Sequence, residues 1–180
     1  MRTPNHIVLL LFIAILAACG SAPKSDQAKF MDNLRDLCGN SYPGEVIQPQ
    51  PAPEGFTDPM VAHITDCGEN YVNIPFHIGD NETRTWMLTQ SEGALLFKHD
   101  HRNPDGTPDG LTNYGGWASD LGSEFRQSFP ADPETIAMRD GLESHTWRFE
   151  FSEDLSTLSY SLYLYDDLYF LADFDLTEAI

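Results

Sequence analysis

The sequence predicts an all-β domain built as an antiparallel meander, because apolar and polar side chains alternate strictly over several runs. In the last part of the chain three successive runs alternate with a period of two, at residues 147–151, 158–164 and 170–176. Such alternation is typical of antiparallel strands with one buried face. About eight to ten strand-like runs, spaced roughly ten to fifteen residues apart, fit one domain in a chain of this length.

The number of strands favours closure of the sheet. A flat antiparallel sheet of this width would expose hazardous edges, so it closes into a barrel or folds into a sandwich. Meander connectivity favours a small, calycin-like up-and-down barrel, and the sandwich is the alternative. A barrel of about eight strands has an interior that can hold one small ligand. We expect this domain to cover residues 27–180.

A short helix is predicted at the start of the domain. Phe30, Leu34 and Leu37 recur at helical intervals, polar side chains fill the positions between them, and Gly39 ends the pattern. The sequence therefore predicts an amphipathic helix over residues 27–38 that covers an open end or a face of the sheet.

The first 18 residues have the pattern of a cleaved export signal. Arg2 supplies a positive charge, residues 7–16 form an apolar run, and small side chains precede Cys19. The apolar run is too short to span a bilayer as a permanent helix. Residues 1–18 are therefore expected to be removed after export.

The end of this segment, Leu16-Ala17-Ala18-Cys19, resembles the lipobox of bacterial lipoproteins. The resemblance implies that Cys19 becomes the acylated N-terminal residue and that residues 19–26 form a lipidated tether. Gly20 follows the cysteine, which in enterobacterial lipoproteins implies transport to the outer membrane. Acyl chains would then anchor the protein to the membrane. We expect the domain to face the periplasm, with the cell surface as the alternative.

Two further cysteines, Cys38 and Cys67, complete the cysteine content of the chain. An exported protein enters an oxidising compartment, where two otherwise free thiols are expected to pair. The sequence therefore predicts a Cys38–Cys67 disulfide, which joins the N-terminal segment to an early strand.

Ionisable side chains are concentrated in the middle of the chain, at Lys98-His99-Asp100-His101-Arg102. This cluster ends the third of three predicted strands, which cover residues 71–78, 83–89 and 94–102. Antiparallel partners keep a constant index sum, so placing Thr89 opposite Leu95 pairs Arg84 with Asp100 and Trp86 with Lys98. This register divides the strands into two faces. One collects Val72, Ile74, Phe76, Met87, Leu95, Phe97, His99 and His101; the other collects Asn73, His77, Arg84, Trp86, Lys98, Asp100 and Arg102.

The cluster has a structural and a functional interpretation. In the first, Arg84 and Asp100 form a cross-strand ion pair, and Lys98 lies over the Trp86 ring, on a half-exposed face. In the second, His99 and His101 project side by side and reach one metal ion or one anionic ligand. A metal needs further ligands, and no spacing rule selects among the candidates His77, Asp105, Asp109 and His145.

The direction of the polar face decides where a ligand would bind. If Arg84, Lys98 and Asp100 point into the barrel with Trp86, the surplus positive charge makes the interior a site for an anionic ligand. We expect the exposed arrangement instead, because the opposite face has the better apolar set.

The mature chain carries a long string of further motifs. They are Pro75-Phe76-His77-Ile78-Gly79, Arg84-Thr85-Trp86, Leu88-Thr89, Leu96-Phe97-Lys98-His99-Asp100-His101-Arg102, Asp105-Gly106, Tyr114-Gly115-Gly116, Arg126-Gln127, Phe129-Pro130-Ala131-Asp132 and Phe174-Asp175-Leu176-Thr177. This string resembles a family of proteobacterial exported proteins and lipoproteins. The resemblance implies no catalytic role, but it draws attention to the central cluster and to Arg84.

Composition limits the partners. Ten basic and 28 acidic residues give a formal charge of −18, which disfavours nucleic acid as a partner. The chain has no Gly-x-Ser-x-Gly, His-Glu-x-x-His or phosphate-binding glycine loop, and we expect no cofactor.

The expected function is that of a lipid-anchored, non-enzymatic domain that binds a small ligand or an envelope protein. The alternative is a metal-assisted or acid/base enzyme that uses His99, Asp100 and His101. The candidate ligand-binding residues are Arg84, Trp86, Lys98, His99, Asp100, His101, Arg102, Tyr114 and Arg126, and His99 and His101 are the candidate metal ligands.

Overall fold

The computed structural model describes residues 24–180, which form one antiparallel sheet nearly closed into a barrel. The predicted fold class is therefore confirmed. The helices are α1 (Asp26–Asp36), α2 (Pro133–Ile136) and a single 3₁₀ turn (Leu142–Ser144). The strands are β1 (Asn40–Gln48), β2 (Met60–Ile64), β3 (Asp66–Cys67), β4 (Tyr71–Ile78), β5 (Asn81–Ser91), β6 (Ala94–His101), β7 (Tyr114–Trp117), β8 (Arg126–Pro130), β9 (His145–Phe151), β10 (Thr157–Leu164) and β11 (Asp167–Asp175).

Strand order shows how the meander closes. Neighbouring strands follow the order β7-β6-β5-β4-β2-β1-β11-β10-β9-β8, and β3 pairs with β4 beside this path. The first and last strands of the domain are therefore hydrogen-bonded neighbours, with Val46 of β1 opposite Ala172 of β11. This pairing joins the two halves of the meander into one wall.

The remaining seam lies between β7 and β8. Asp132 N donates to Gly115 O at 2.9 Å and Ser119 N donates to Ser128 O at 2.8 Å, outside the regular ladders. A Cβ atom on Gly116 would overlap the carbonyl oxygen of Pro130, so only glycine allows this approach. The paired glycines thus let the two edges meet.

Helix α1 covers one end of the barrel. The Ser25 side chain caps it by accepting from Ala28 N, and Phe30, Met31 and Leu34 are fully buried beneath it. Phe30 packs on Phe151 at the end of β9, with ring centroids 5.4 Å apart. The predicted amphipathic helix and its covering role are thus found. Cys38 follows the helix and forms a disulfide with Cys67 of β3, as predicted.

The predicted register of β5 and β6 is wrong by one residue. Trp86 lies opposite His99 and Arg84 lies opposite His101, whereas Asp100 lies opposite Thr85. The cause is the turn. Glu92 and Gly93 both have positive φ, at 51° and 85°, and form a two-residue hairpin loop. The prediction had assigned a longer loop, which shifted every pair by one position and exchanged the faces of β5.

Aromatic rings fill the barrel. Trp86 is stacked between Phe76 and Tyr160, with ring centroids 4.4 Å away on each side. Phe97, Phe149 and Phe174 are fully buried around this stack. Among residues 24–180, no helix has the length and hydropathy that crossing a membrane requires.

Candidate functional site

A cavity of about 300 Å³ lies inside the barrel at the end opposite α1. Helix α1 contacts Gln90, where β5 ends, whereas Arg84 near the start of β5 lines the cavity. The barrel therefore has one covered end and one hollow end. The lining residues are Pro53, Phe56, Phe76, Arg84, Trp86, His99, His101, Leu111, Tyr114, Arg139, Leu142, His145, Trp147, Tyr160, Leu162, Tyr169 and Phe170.

The deepest polar group of the cavity is His99, which is 3% exposed. Its Nδ1 lies 3.2 Å from the backbone oxygen of Tyr114, and its Nε2 lies 2.8 Å from the hydroxyl of Tyr160. A carbonyl oxygen only accepts, so Nδ1 carries the proton and Nε2 accepts from Tyr160. Burial lowers the pKa of His99 well below its usual value, so the imidazole is neutral.

Tyr114 extends this polar chain toward the open end. Its ring stacks on His99 at 4.3 Å, and its hydroxyl lies 3.1 Å from Nε2 of His101. Burial raises the pKa of Tyr114 to about 12, so the phenol stays protonated at neutral pH. Burial, and then the charge of Arg84, lowers the pKa of His101. Neutral polar groups thus connect the interior with the mouth.

Arg84 brings a fixed positive charge into the cavity. Its Nη1 is buried and has no hydrogen-bond partner, and its guanidinium carbon lies 5.6 Å from the centre of the Phe56 ring. Arg139, which is exposed, adds a second guanidinium at the rim. No Asp or Glu is among the lining residues of this cavity. The cavity is therefore positive, although the whole chain is strongly acidic.

Five of the nine candidate ligand-binding residues come together in this cavity: Arg84, Trp86, His99, His101 and Tyr114. The two histidines project side by side as predicted, with ring centroids 6.0 Å apart. They lie on the face that carries Leu95 and Phe97, as the predicted faces of β6 had placed them. Arg84 and Trp86 share this inner face, which corrects the expectation that Arg84 is exposed.

The other four candidates lie elsewhere. Lys98 donates to Asp132 at 2.6 Å, Arg102 donates to Asp100 at 2.8 Å, and Arg126 lies 3.9 Å from Glu150. The predicted Arg84–Asp100 ion pair and the predicted contact of Lys98 with Trp86 are therefore wrong. Lys98 and Asp100 lie on the outer face of β6, as expected, whereas the one-residue register shift moves Arg84 and Trp86 of β5 to the inner face.

The three side chains of the alternative enzyme interpretation, His99, Asp100 and His101, do not converge on one point. Asp100 points away from His99 and His101, because alternate side chains of one strand project to opposite faces. His145 lines the cavity, whereas His77 lies outside it and packs against His63, with ring centroids 4.2 Å apart and tilted ring planes. Among residues 24–180, no group of three or more His, Cys, Asp or Glu side chains is placed to hold a metal ion.

Several lining residues were not proposed from the sequence. Trp147, Tyr160 and Phe170 belong to the alternating apolar faces, which predicted their burial but not a cavity between them. Phe56 and Arg139 lie in segments without periodicity. Only the closed barrel brings these segments to the mouth, so no local pattern identified them.

No family model, curated protein or solved structure matches this chain. The geometry of the cavity and the sequence motifs are therefore the features that indicate a function.

Proposed function

We propose that the barrel is a binding domain that holds a small, largely apolar molecule in its hollow end. The observation that carries the proposal is a cavity of about 300 Å³ with an aromatic wall and a few convergent polar groups. Small-molecule sites combine these features, and about 300 Å³ is the lower end of their usual volume. The expected ligand is therefore small.

The aromatic wall suits a flat or narrow ligand. The stacked rings of Phe76, Trp86 and Tyr160 line the cavity, together with Trp147 and Phe170. Removing such apolar surface from water favours binding by about 25 cal/mol per Å². The Tyr160 hydroxyl donates its proton to His99, and its oxygen can still accept a hydrogen bond from a neutral polar group of a ligand.

We further propose that the domain works in the envelope of a bacterium, anchored to the outer membrane through Cys19. The support is the Leu16-Ala17-Ala18-Cys19 motif together with the disulfide, which suits an oxidising compartment. Cys19 itself lies outside the described residues. Mass spectrometry of the N-terminal peptide tests this proposal: an acylated Cys19 is expected in membrane fractions, and a Cys19→Ala variant is expected in the soluble fraction.

Tryptophan signals provide the test of ligand binding. Trp86 and Trp147 line the cavity, whereas Trp117 is 47% exposed and lies on β7 outside it. Titration with the neutral probe 3-phenylpropanol is expected to shift the indole N–H resonances of Trp86 and Trp147 and to leave that of Trp117 in place. The indole resonance that disappears in a Trp117→Phe variant is that of Trp117, the tryptophan outside the cavity.

A variant with a filled cavity is the matched control. Leu162 is partly buried and lines the cavity, so Leu162→Trp is expected to occupy the space and to abolish the shifts. Movement of all three indole signals together, or of none, would contradict binding inside the barrel. The second result would leave protein partners in the envelope as the remaining role.

A further inference from the structure

The charges of the cavity differ from those of the molecule as a whole. Acidic residues outnumber basic ones by 28 to 10, yet the cavity contains Arg84 and Arg139 and no carboxylate. Three histidines also line it, and the pKa of each is lowered, first of all by burial. At neutral pH the two guanidinium groups therefore supply the charge of the site.

The guanidinium group of Arg84 has a buried nitrogen without a hydrogen-bond acceptor. Its Nη1 is buried without a hydrogen-bond partner, although the sequence register had paired this residue with Asp100. Leaving a buried charged donor unpaired is unfavourable, and native proteins rarely retain such a group without a role. An oxyanion is the partner that a guanidinium binds best, through charge-assisted hydrogen bonds.

Among residues 24–180, no carboxylate forms a hydrogen bond or an ion pair with Arg84, although the charge of Asp109 reaches His101 and Tyr114. Asp100 is held by Arg102 on the outer face, and Asp109 lies outside the lining residues. The phenols of Tyr114 and Tyr160 have raised pKa values because they are buried, so they do not ionise to pair with Arg84 at neutral pH. The positive charge is therefore available to a ligand.

The volume limits the size of that ligand. A water molecule occupies about 30 Å³ in the liquid, so a cavity of about 300 Å³ corresponds to about ten water molecules. A ligand of on the order of ten non-hydrogen atoms fits this space, whereas a diacyl lipid does not. The aromatic wall suits the body of such a molecule, and Arg84 suits its head.

We propose that the ligand is a small monocarboxylate with an aromatic or short aliphatic body, whose carboxylate pairs with Arg84 inside the barrel. The exposed Arg139 adds positive charge at the rim and favours the approach of an anion. This inference rests on the binding function proposed above, because it specifies the chemical class for the same cavity.

A matched pair of probes tests the proposal on the mature chain. 3-Phenylpropanoate and 3-phenylpropanol have the same body and differ in the head group. At pH 8 and low salt, the carboxylate is expected to bind at least about tenfold more tightly than the alcohol, as measured by calorimetry or by the indole shifts of Trp86 and Trp147. Equal affinities would overturn the carboxylate proposal and leave the binding function intact. Binding of neither probe would overturn both.

Variants of Arg84 test whether this residue causes the preference for the carboxylate over the alcohol. Arg84→Gln is expected to weaken binding of the carboxylate and to reduce the ratio of the two affinities to about one. Arg84→Lys is expected to keep part of the preference, because the charge remains. Arg126→Gln is the control, since Arg126 is a half-exposed basic residue near Glu150 outside the cavity. A preference that survives Arg84→Gln in a folded protein would overturn the assignment to Arg84.

Discussion

His99 is the residue whose protonation state the fold controls most firmly. The Tyr114 carbonyl oxygen accepts a hydrogen bond from Nδ1, and the Tyr160 hydroxyl donates one to Nε2. Only the neutral ring can make both bonds. The unfolded chain does not share this restriction, and its histidines titrate near 6.5. The protein therefore loses stability at a pH where its carboxylates are still ionised.

The sign of this effect follows from proton linkage. His99 has a lowered pKa in the native state, so its contribution to stability is fully present above about pH 6.5 and is lost as the pH falls toward the native pKa. We expect the free energy of unfolding to fall by up to about 2 kcal/mol between pH 6.5 and pH 5 through His99 alone. Urea denaturation at a series of pH values measures this. A His99→Gln variant should show a shallower dependence, and an unchanged slope in the variant would contradict the assignment.

Arg84 combines a structural disadvantage with its proposed role. Its unpaired Nη1 weakens the empty protein, and its contact with Phe56 offsets part of that effect. We expect Arg84→Met to lower the free energy of unfolding by less than about 1 kcal/mol, or to raise it. Denaturation midpoints measured without ligand test this. A loss of several kcal/mol would show that Arg84 has a protein partner and a structural role.

Among the elements, β7 is the one that the barrel depends on for closure. It has four residues, pairs with β6 on one side, and meets β8 through irregular hydrogen bonds on the other. Lys98 and Asp132 reinforce this seam with a buried ion pair, and Thr135 of α2 donates to Gly115 O at 2.8 Å. These contacts of α2 with β6 and β7 therefore stabilise the seam, where the short strand β7 forms few hydrogen bonds with β8.

The glycines of β7 make the seam sensitive to one methyl group. In Gly116→Ala the new Cβ would meet the backbone oxygen of Pro130, which cannot rotate away. Overpacking of this kind costs about 1 to 3 kcal/mol. Gly110→Ala is the matched control, because no atom lies within 4 Å of its Cβ position, and we expect no loss of stability. Thermal denaturation of both variants makes the comparison, and equal midpoints would contradict the role of the seam.

At the scale of the whole molecule, one covalent link ties the α1 end to the sheet. The Cys38–Cys67 disulfide spans 29 residues of sequence. Chain-entropy arithmetic for a loop of about 30 residues gives a stabilisation of about 3 to 4 kcal/mol. We expect a double Cys38→Ser and Cys67→Ser variant to lose about this amount in urea denaturation. A loss below about 1 kcal/mol would show that the loop is already restricted in the unfolded chain.

The strands, the first helix and the disulfide could be predicted because each leaves a direct signal in the sequence: alternation, helical periodicity and the number of cysteines. Period-two runs predicted the strands, and Phe30, Leu34 and Leu37 predicted α1. The site was harder, since its faces depend on a single turn. Glu92 is not a residue that commonly adopts positive φ, so the two-residue loop at Glu92 and Gly93 was missed and Arg84 was assigned to the wrong side. Arg139 and Phe56 reach the cavity from irregular segments, where no period indicates direction.

With the lipid anchor proposed for Cys19, the covered end of the barrel would set the orientation of the cavity relative to a bilayer. Ser25 and Asp26 lie beside Gly93 and Gly122, at the end that α1 closes. Five residues lie between Cys19 and Ser25, and the six steps from one to the other reach at most about 22 Å when extended. The eight residues of β6, which runs between the two ends of the barrel, extend over about 25 Å along the strand.

A lipid on Cys19 would therefore hold the closed end toward the membrane and turn the mouth toward the surrounding water. Such a barrel would load dissolved molecules and would not extract lipids from the leaflet beneath it. We expect the acylated protein on vesicles and the lipid-free Cys19→Ser protein to bind 3-phenylpropanoate with affinities within about twofold of each other. Blocked binding on vesicles would show that the mouth lies against the bilayer.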